Sequence, residues 1–211
     1  MQANPLWRFV NGAPPKVIPG EQCEFCSKPI DGAHSHLVDV KDRRLLCACR
    51  PCFLLFTPRG AAQGRYKASS ERYLHLSGFT LSNAQWEALQ IPINLAFFFY
   101  NSSTQKMAAF YPSPAGATES LLSLQMWDEI VATNPDVATM EPDVEALLIY
   151  RPKDAQLQAY LVPIDVCYEL VGVIRKSWKG FAGGEEAWTQ IGRFFDELRL
   201  RASGTTPQRV L

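Results

Sequence analysis

The sequence predicts an α+β protein: an N-terminal treble-clef or zinc-ribbon-like metal module, then an antiparallel sheet of about four strands packed with helices. Three observations predict this. Five of the six cysteines fall between residues 23 and 52, as two Cys-x-x-Cys pairs and one surplus thiol. Downstream, aromatic-rich apolar runs come in pairs joined by polar turns, the pattern of hairpins. Around these hairpins, apolar residues recur at helical spacing behind capping signals, so strands and helices share one layered core.

Composition bounds the rest. Of 211 residues, 47% are hydrophobic and 20% charged. That is ordinary globular usage and enough for a core, so the cysteines are not needed as staples. No apolar run approaches the roughly 18 residues of a membrane span. Residues 1–20 lack an apolar signal core and contain four prolines, and they read as a flexible lead-in. The cytoplasm is then the expected compartment, where thiols stay reduced and clustered cysteines point to metal or redox chemistry. Formal net charge is zero, with ten Lys/Arg against five Asp/Glu in residues 1–70 and four against twelve in residues 71–170. The basic excess is too sparse for a nucleic-acid surface and reads as a dipolar pair of segments.

The first ordered unit is residues 21–57. Cys23 and Cys26 form the first pair, in EQCEFCSKPI. HSHLVDV reads as a strand, KDRR as its turn and LLCAC as the return strand. Cys49 and Cys52 form the second pair, and FLLF continues from it as a helix. Two Cys-x-x-Cys turns supply four soft, charged donors at about 2.3 Å from a tetrahedral ion. The predicted metal ligands are therefore Cys23, Cys26, Cys49 and Cys52. Cys47 is the surplus: in a strand it shares a face with Cys49, so it is an alternate ligand or a thiol beside the site. His34 and His36, at the start of the first strand, are the other alternates, read first as hydrogen-bonding supports. Zinc is the expected metal and iron the alternative. A rubredoxin-type iron knuckle usually carries glycine after its second cysteine, whereas Ser27 and Phe53 stand there here.

Residues 58–70, PRGAAQGRYKASS, read as a linker or surface loop, and residues 71–201 as the α+β domain. Ser82 and Gln85 form a capping box that opens a short helix ending before Pro92. A hairpin follows with its turn at residues 101–105. Its first strand, from Leu95 to Tyr100, is apolar on both faces and so is expected to be central and covered on both sides. PSPAGATES reads as a loop into a helix capped by Ser123 and stopped at Asn134-Pro135. DVEALLIYR and QLQAYLVPI make the second hairpin, with a turn at residues 152–154. The acidic residues 141–145 before it read as a solvent-facing edge. Two helices close the domain. Asp165 is expected to cap one that carries Leu170, Val171, Ile174 and Trp178, ending at Gly180, and the other carries Trp188, Ile191, Phe195 and Leu198. Cys167 reads as a small buried residue, His75 has no evident partner, and residues 202–211 read as a flexible tail. No nucleophile triad, phosphate loop or dinucleotide fingerprint stands out. Ser113, Thr118 and Glu119 belong to a helix-entry loop rather than a pocket, so the reading leans away from an enzyme.

The strings CEFC, HSHLVD, RRLLCACRPCFLLF, WEALQIPINLAFFF, AFYPSPAGATESLL, EPDVEALL, YLVPIDVCYELVG and KGFAGGEE are similar to an uncharacterised bacterial family, a domain of unknown function. Its genes lie in clusters for high-affinity, actinobacterial-type nickel–iron hydrogenases. The resemblance runs from about residue 21 to about residue 201. It implies an accessory protein for hydrogenase assembly, maturation or electron flow, with a hydrogenase subunit or maturation factor as partner. It implies no residue roles.

Overall fold

The computed structural model describes residues 21–120, 124–152, 155–180 and 183–204. The cysteine-rich segment contributes β1 (Ser35–Asp39), β2 (Arg44–Ala48) and α1 (Arg50–Phe56). β1 and β2 form the expected antiparallel hairpin, with His36 opposite Cys47. Arg43 turns the chain at φ +52°. Residues 58–70, expected as a linker, instead hold a turn at Ala61–Gly64 and a short strand β3 (Tyr66–Ala68). β3 pairs with the free side of β1, giving a three-stranded sheet in the order β2-β1-β3.

The second sheet has six strands rather than about four, in the order β4-β9-β8-β5-β6-β7. The four expected strands are β5 (Leu95–Asn101), β6 (Lys106–Ser113), β8 (Glu145–Tyr150) and β9 (Gln158–Pro163). The two additions are β4 (Leu74–His75) and β7 (Gly116–Ser120) at the edges. β7 arises from the proline-rich string read as a loop, because residues 114–115 make a tight turn and Ser113 lies opposite Gly116. Pro112 is accommodated because the β5–β6 pairing has already ended at Phe110. β4 is only two residues long, too short for an alternation signal. Its His75 finds a partner after all, in the ring of Tyr160 at 4.9 Å.

β5 is central, between β8 and β6, and is covered on both faces. Leu95, Phe97 and Phe99 pack with residues of α4 (Ile164–Ser177) and α5 (Gly184–Ala202). Ala96 and Phe98 pack on the other side with Trp86 of α2 (Asn83–Ala88) and Ile130 of α3 (Leu124–Thr133). Alternation of side chains along the strand sends each set to its own face. The Ser82–Gln85 capping box is present, with Ser82 N donating to Gln85 Oε1 at 2.9 Å and Gln85 N donating to Ser82 Oγ at 3.2 Å. α3 ends before Asn134, whose side-chain amide donates to the carbonyls of Ile130 and Thr80. Its expected cap Ser123 lies outside the described residues, as does part of the turn at 152–154. α4 buries Leu170, Val171 and Ile174, with Trp178 half-buried just beyond it, and α5 buries Ile191, Phe195 and Leu198 beside a half-buried Trp188. Asp165 does not occupy the cap position of α4: that is Pro163, and Asp165 lies in the first turn.

The two sheets are joined by buried charge. Asp143 and Glu145, expected at a solvent-facing edge, are each 2% exposed. Lys67 on β3 donates to Asp143 Oδ2 at 2.7 Å. Arg72 Nε and Ser70 Oγ donate to Glu145 Oε1 at 2.9 and 2.8 Å, and Glu141 N donates to Oε2 at 2.8 Å. Asn101 donates to the Val40 carbonyl across the same junction, and Val38 of β1 joins the main core. Burial raises the Glu145 carboxyl, but the Arg72, Glu141 and Ser70 donors outweigh it and hold it below the ordinary 4.5. A carboxylate depressed in the folded state stabilises the fold above its unfolded pKa, and that contribution is lost as pH falls below about 4.5. Glu145→Gln should therefore destabilise the protein by about 1–3 kcal/mol at neutral pH. It should also flatten the acid limb of a thermal-melt series, and a wild-type acid limb in the variant would refute the assignment.

Candidate metal centre

The first cysteine pair sits in a knuckle closed by its own backbone. Cys23 N donates to Lys28 O at 2.8 Å, Ser27 N donates to Cys23 O at 2.8 Å, and Gln22 bridges to Pro29. Ser27 takes φ +58°, in the left-handed region. The turn that glycine would serve is made here by serine, so the missing glycine does not prevent the loop from folding back. The second pair behaves as the sequence predicts. Cys49 has extended backbone at the cap of α1, Cys52 lies in the first turn, and Phe53 N donates to Cys49 O at 2.9 Å. Pro51, also in that turn, has no amide hydrogen to leave unpaired.

Together these elements bring the Sγ atoms of Cys23, Cys26, Cys49 and Cys52 within 4.8 Å of one another, a group that could hold a metal ion. Cys26 Sγ and Cys49 Sγ are 3.6 Å apart. Two thiolates on a tetrahedral ion with bonds of about 2.3 Å are separated by about 3.8 Å, so this pair already stands near the separation such an ion requires. None of the four is in a disulfide. Cys23 and Cys52 are buried in a small core with Leu37 and Ala48, against Phe25, Phe56 and Tyr66. Phe25 stacks on Phe56 at 4.4 Å. Such a core is small for the segment it serves, which leaves room for a bound ion to contribute to its folding.

The alternates are placed elsewhere. Cys47 does not join the four sulfurs. It groups with His34 and His36, whose ring nitrogens and the Cys47 Sγ lie within 4.8 Å of one another. This grouping was not legible in the sequence: a turn at KDRR, residues 41–44, would set His36 opposite Cys49, whereas the hairpin closes at Asp39–Arg44 and sets His36 opposite Cys47. What the sequence did not signal is Asp165, which accepts from His36 Nδ1 at 2.9 Å and from Ser69 Oγ at 3.1 Å. Cys167 is fully buried, and burial pushes its thiol well above the ordinary value.

The four thiols share charge unevenly. Burial raises Cys23, but the backbone amides of Cys49, Phe25 and Cys26 outweigh it and bring the thiol down to about 6. Burial pushes Cys52 up to about 12, helped by its thiol neighbours.

These features define a class: a mixed α/β protein with antiparallel sheets and a four-cysteine cluster near its N-terminus. The chain belongs to a family of unknown function, DUF5947, whose family model matches residues 22–202. No curated protein and no solved structure matches it.

The two shifted thiols give the metal-free cluster a signed pH dependence. Cys23, depressed from 9.0 to about 6, adds stability as pH rises from about 6 to 9. Cys52, raised from 9.0 to about 12, removes stability as pH rises from about 9 to 12. In chelator, amide-exchange protection of β1 and β2 should peak near pH 9 once the intrinsic exchange rate is divided out. A monotonic profile would refute the assignment of the two thiols.

Proposed function

We propose that the four cysteines hold one structural zinc ion in a treble-clef arrangement, and that the protein is a non-enzymatic accessory factor that docks a protein partner. The observation that carries the metal is the convergence of four sulfurs from two Cys-x-x-Cys turns within 4.8 Å of one another, with Cys26 and Cys49 at 3.6 Å. The order of knuckle, hairpin and helix, with the last two ligands at the helix start, supports the treble-clef reading. Docking is supported by Leu54 and Leu55 on α1, which stand 54% and 64% exposed within three residues of Cys52. The partner, a subunit or maturation factor of a nickel–iron hydrogenase, rests on the sequence resemblance. The cytoplasm is the proposed compartment; no helix of the described residues is long and apolar enough to cross a membrane.

One observation favours a second reading. Ser27 at φ +58° folds the first knuckle back as an iron-binding knuckle folds, so a rubredoxin-like iron carrier or redox sensor at the same cysteines is the competing function. Metal analysis with zinc X-ray absorption on the purified full chain decides between them. Zinc with a four-sulfur shell, absent from Cys49→Ser and present in Cys167→Ser, is the expected result. Iron with thiolate charge-transfer bands would replace zinc by the second reading, and no metal bound to four sulfurs would defeat both. The accessory role has its own test: deleting the gene in a host that makes the hydrogenase should lower hydrogenase activity, and unchanged activity would remove that role.

A further inference from the structure

We propose that His34, His36 and Cys47 form a second metal site, distinct from the four-cysteine group, for a late first-row divalent transition ion. The two groups share no residue. His36 lies directly opposite Cys47 in the β1–β2 register, and His34, just before β1, meets the His36 ring edge-on. The imidazole rings are 4.7 Å apart and inclined at 72°, an edge-to-face pose that allows both to aim at one point.

The hydrogen bonds behind the rings orient them as ligands. His34 Nδ1 lies 2.7 Å from the Asp31 carbonyl, which can only accept, so Nδ1 carries the proton. His36 Nδ1 donates to the Asp165 carboxylate at 2.9 Å. A carbonyl or carboxylate behind one ring nitrogen is what fixes the tautomer and direction of a metal-binding histidine, leaving Nε2 as the donor. The independent observation is His34 Nε2 itself. Its side chain is only 7% exposed, and this buried nitrogen has no hydrogen-bond partner among the described residues. A buried polar nitrogen left without a partner destabilises the fold, and a metal ion removes that penalty.

Two imidazoles and one thiolate are a borderline-soft donor set that suits zinc, copper or cobalt rather than magnesium or calcium. No fourth side chain joins the group among the described residues, so a coordination position remains for water or a small exchangeable ligand. That is the feature that separates reactive sites from closed structural ones. Binding forms the sulfur–metal bond and releases the Cys47 thiol proton to solvent, with no change of oxidation state.

Cobalt(II) chloride titrated into the full chain tests the site, because cobalt's absorption reports the number of thiolates bound to it. Wild type should take up one ion with single-thiolate charge-transfer intensity, separate from any four-thiolate signal. Cys47→Ser and His34→Gln should lose that ion, Cys26→Ser should keep it, and Asp165→Asn should bind it about 10–100-fold more weakly. Cys47 is only half-buried, so Cys47→Ser is the deciding variant if His34→Gln fails to fold. A single-thiolate signal that persists in Cys47→Ser, or that never forms in wild type, overturns the proposal. Absence both of zinc with a four-sulfur shell and of a four-thiolate cobalt signal would strike the zinc reading and leave this site standing.

Discussion

Two buried carboxylates, Asp143 and Glu145, together with the half-buried Asp165, hold the cysteine module against the larger sheet. Asp143 and Glu145 stand where a loop enters β8, Asp165 stands where β9 passes directly into α4, and each receives donors from the segment between β1 and Arg72, β1 included. Carboxylates taken from water are tolerable only when their oxygens are fully paired. The chain from residue 65 to residue 72 must therefore follow one path, with Lys67, Ser69, Ser70 and Arg72 each meeting an oxygen. That path also fixes β3 against β1, and with it the hairpin that carries His36 and Cys47. Position and orientation of the candidate sites thus depend on contacts remote from the ligands themselves.

The larger sheet supplies a rigid base for that junction. β5 and β8 are apolar on both faces, so helices must cover both sides, and α2 and α3 lie opposite α4 and α5. The first turn of α4 presents Asp165 toward the module while the rest of the helix buries Leu170 and Ile174 in the core. One helix therefore serves both packing and the orientation of His36. Its first turn cannot shift without disturbing the central layer.

The central strand, the capped α2 and the apolar faces of α4 and α5 were legible in the sequence because each is a periodic, local signal. β4 and β7 were not: two residues carry no period, and Pro112 and Pro114 disguise a strand whose register is fixed only by its neighbour. The acidic residues 141–145 read as surface because an isolated sequence shows charge but not its partner. Lys67 and Arg72 are more than 70 residues from their carboxylates. The same division holds at the site. The grouping of Cys23, Cys26, Cys49 and Cys52 follows from spacing, whereas the separation of Cys47 from them follows from cross-strand register. The support from Asp165 follows only from tertiary structure.

The span of 129 residues between His36 and Asp165 also orders events in time. During synthesis the four clustered cysteines emerge within 30 residues of one another, and their loop can close while the sheet is still unmade. The imidazole of His36 has no carboxylate to orient it until α4 leaves the ribosome. A nascent chain therefore passes through a stage in which one ligand group is complete and the other is not. The order in which the two groups could take up metal is written into the order of the chain itself.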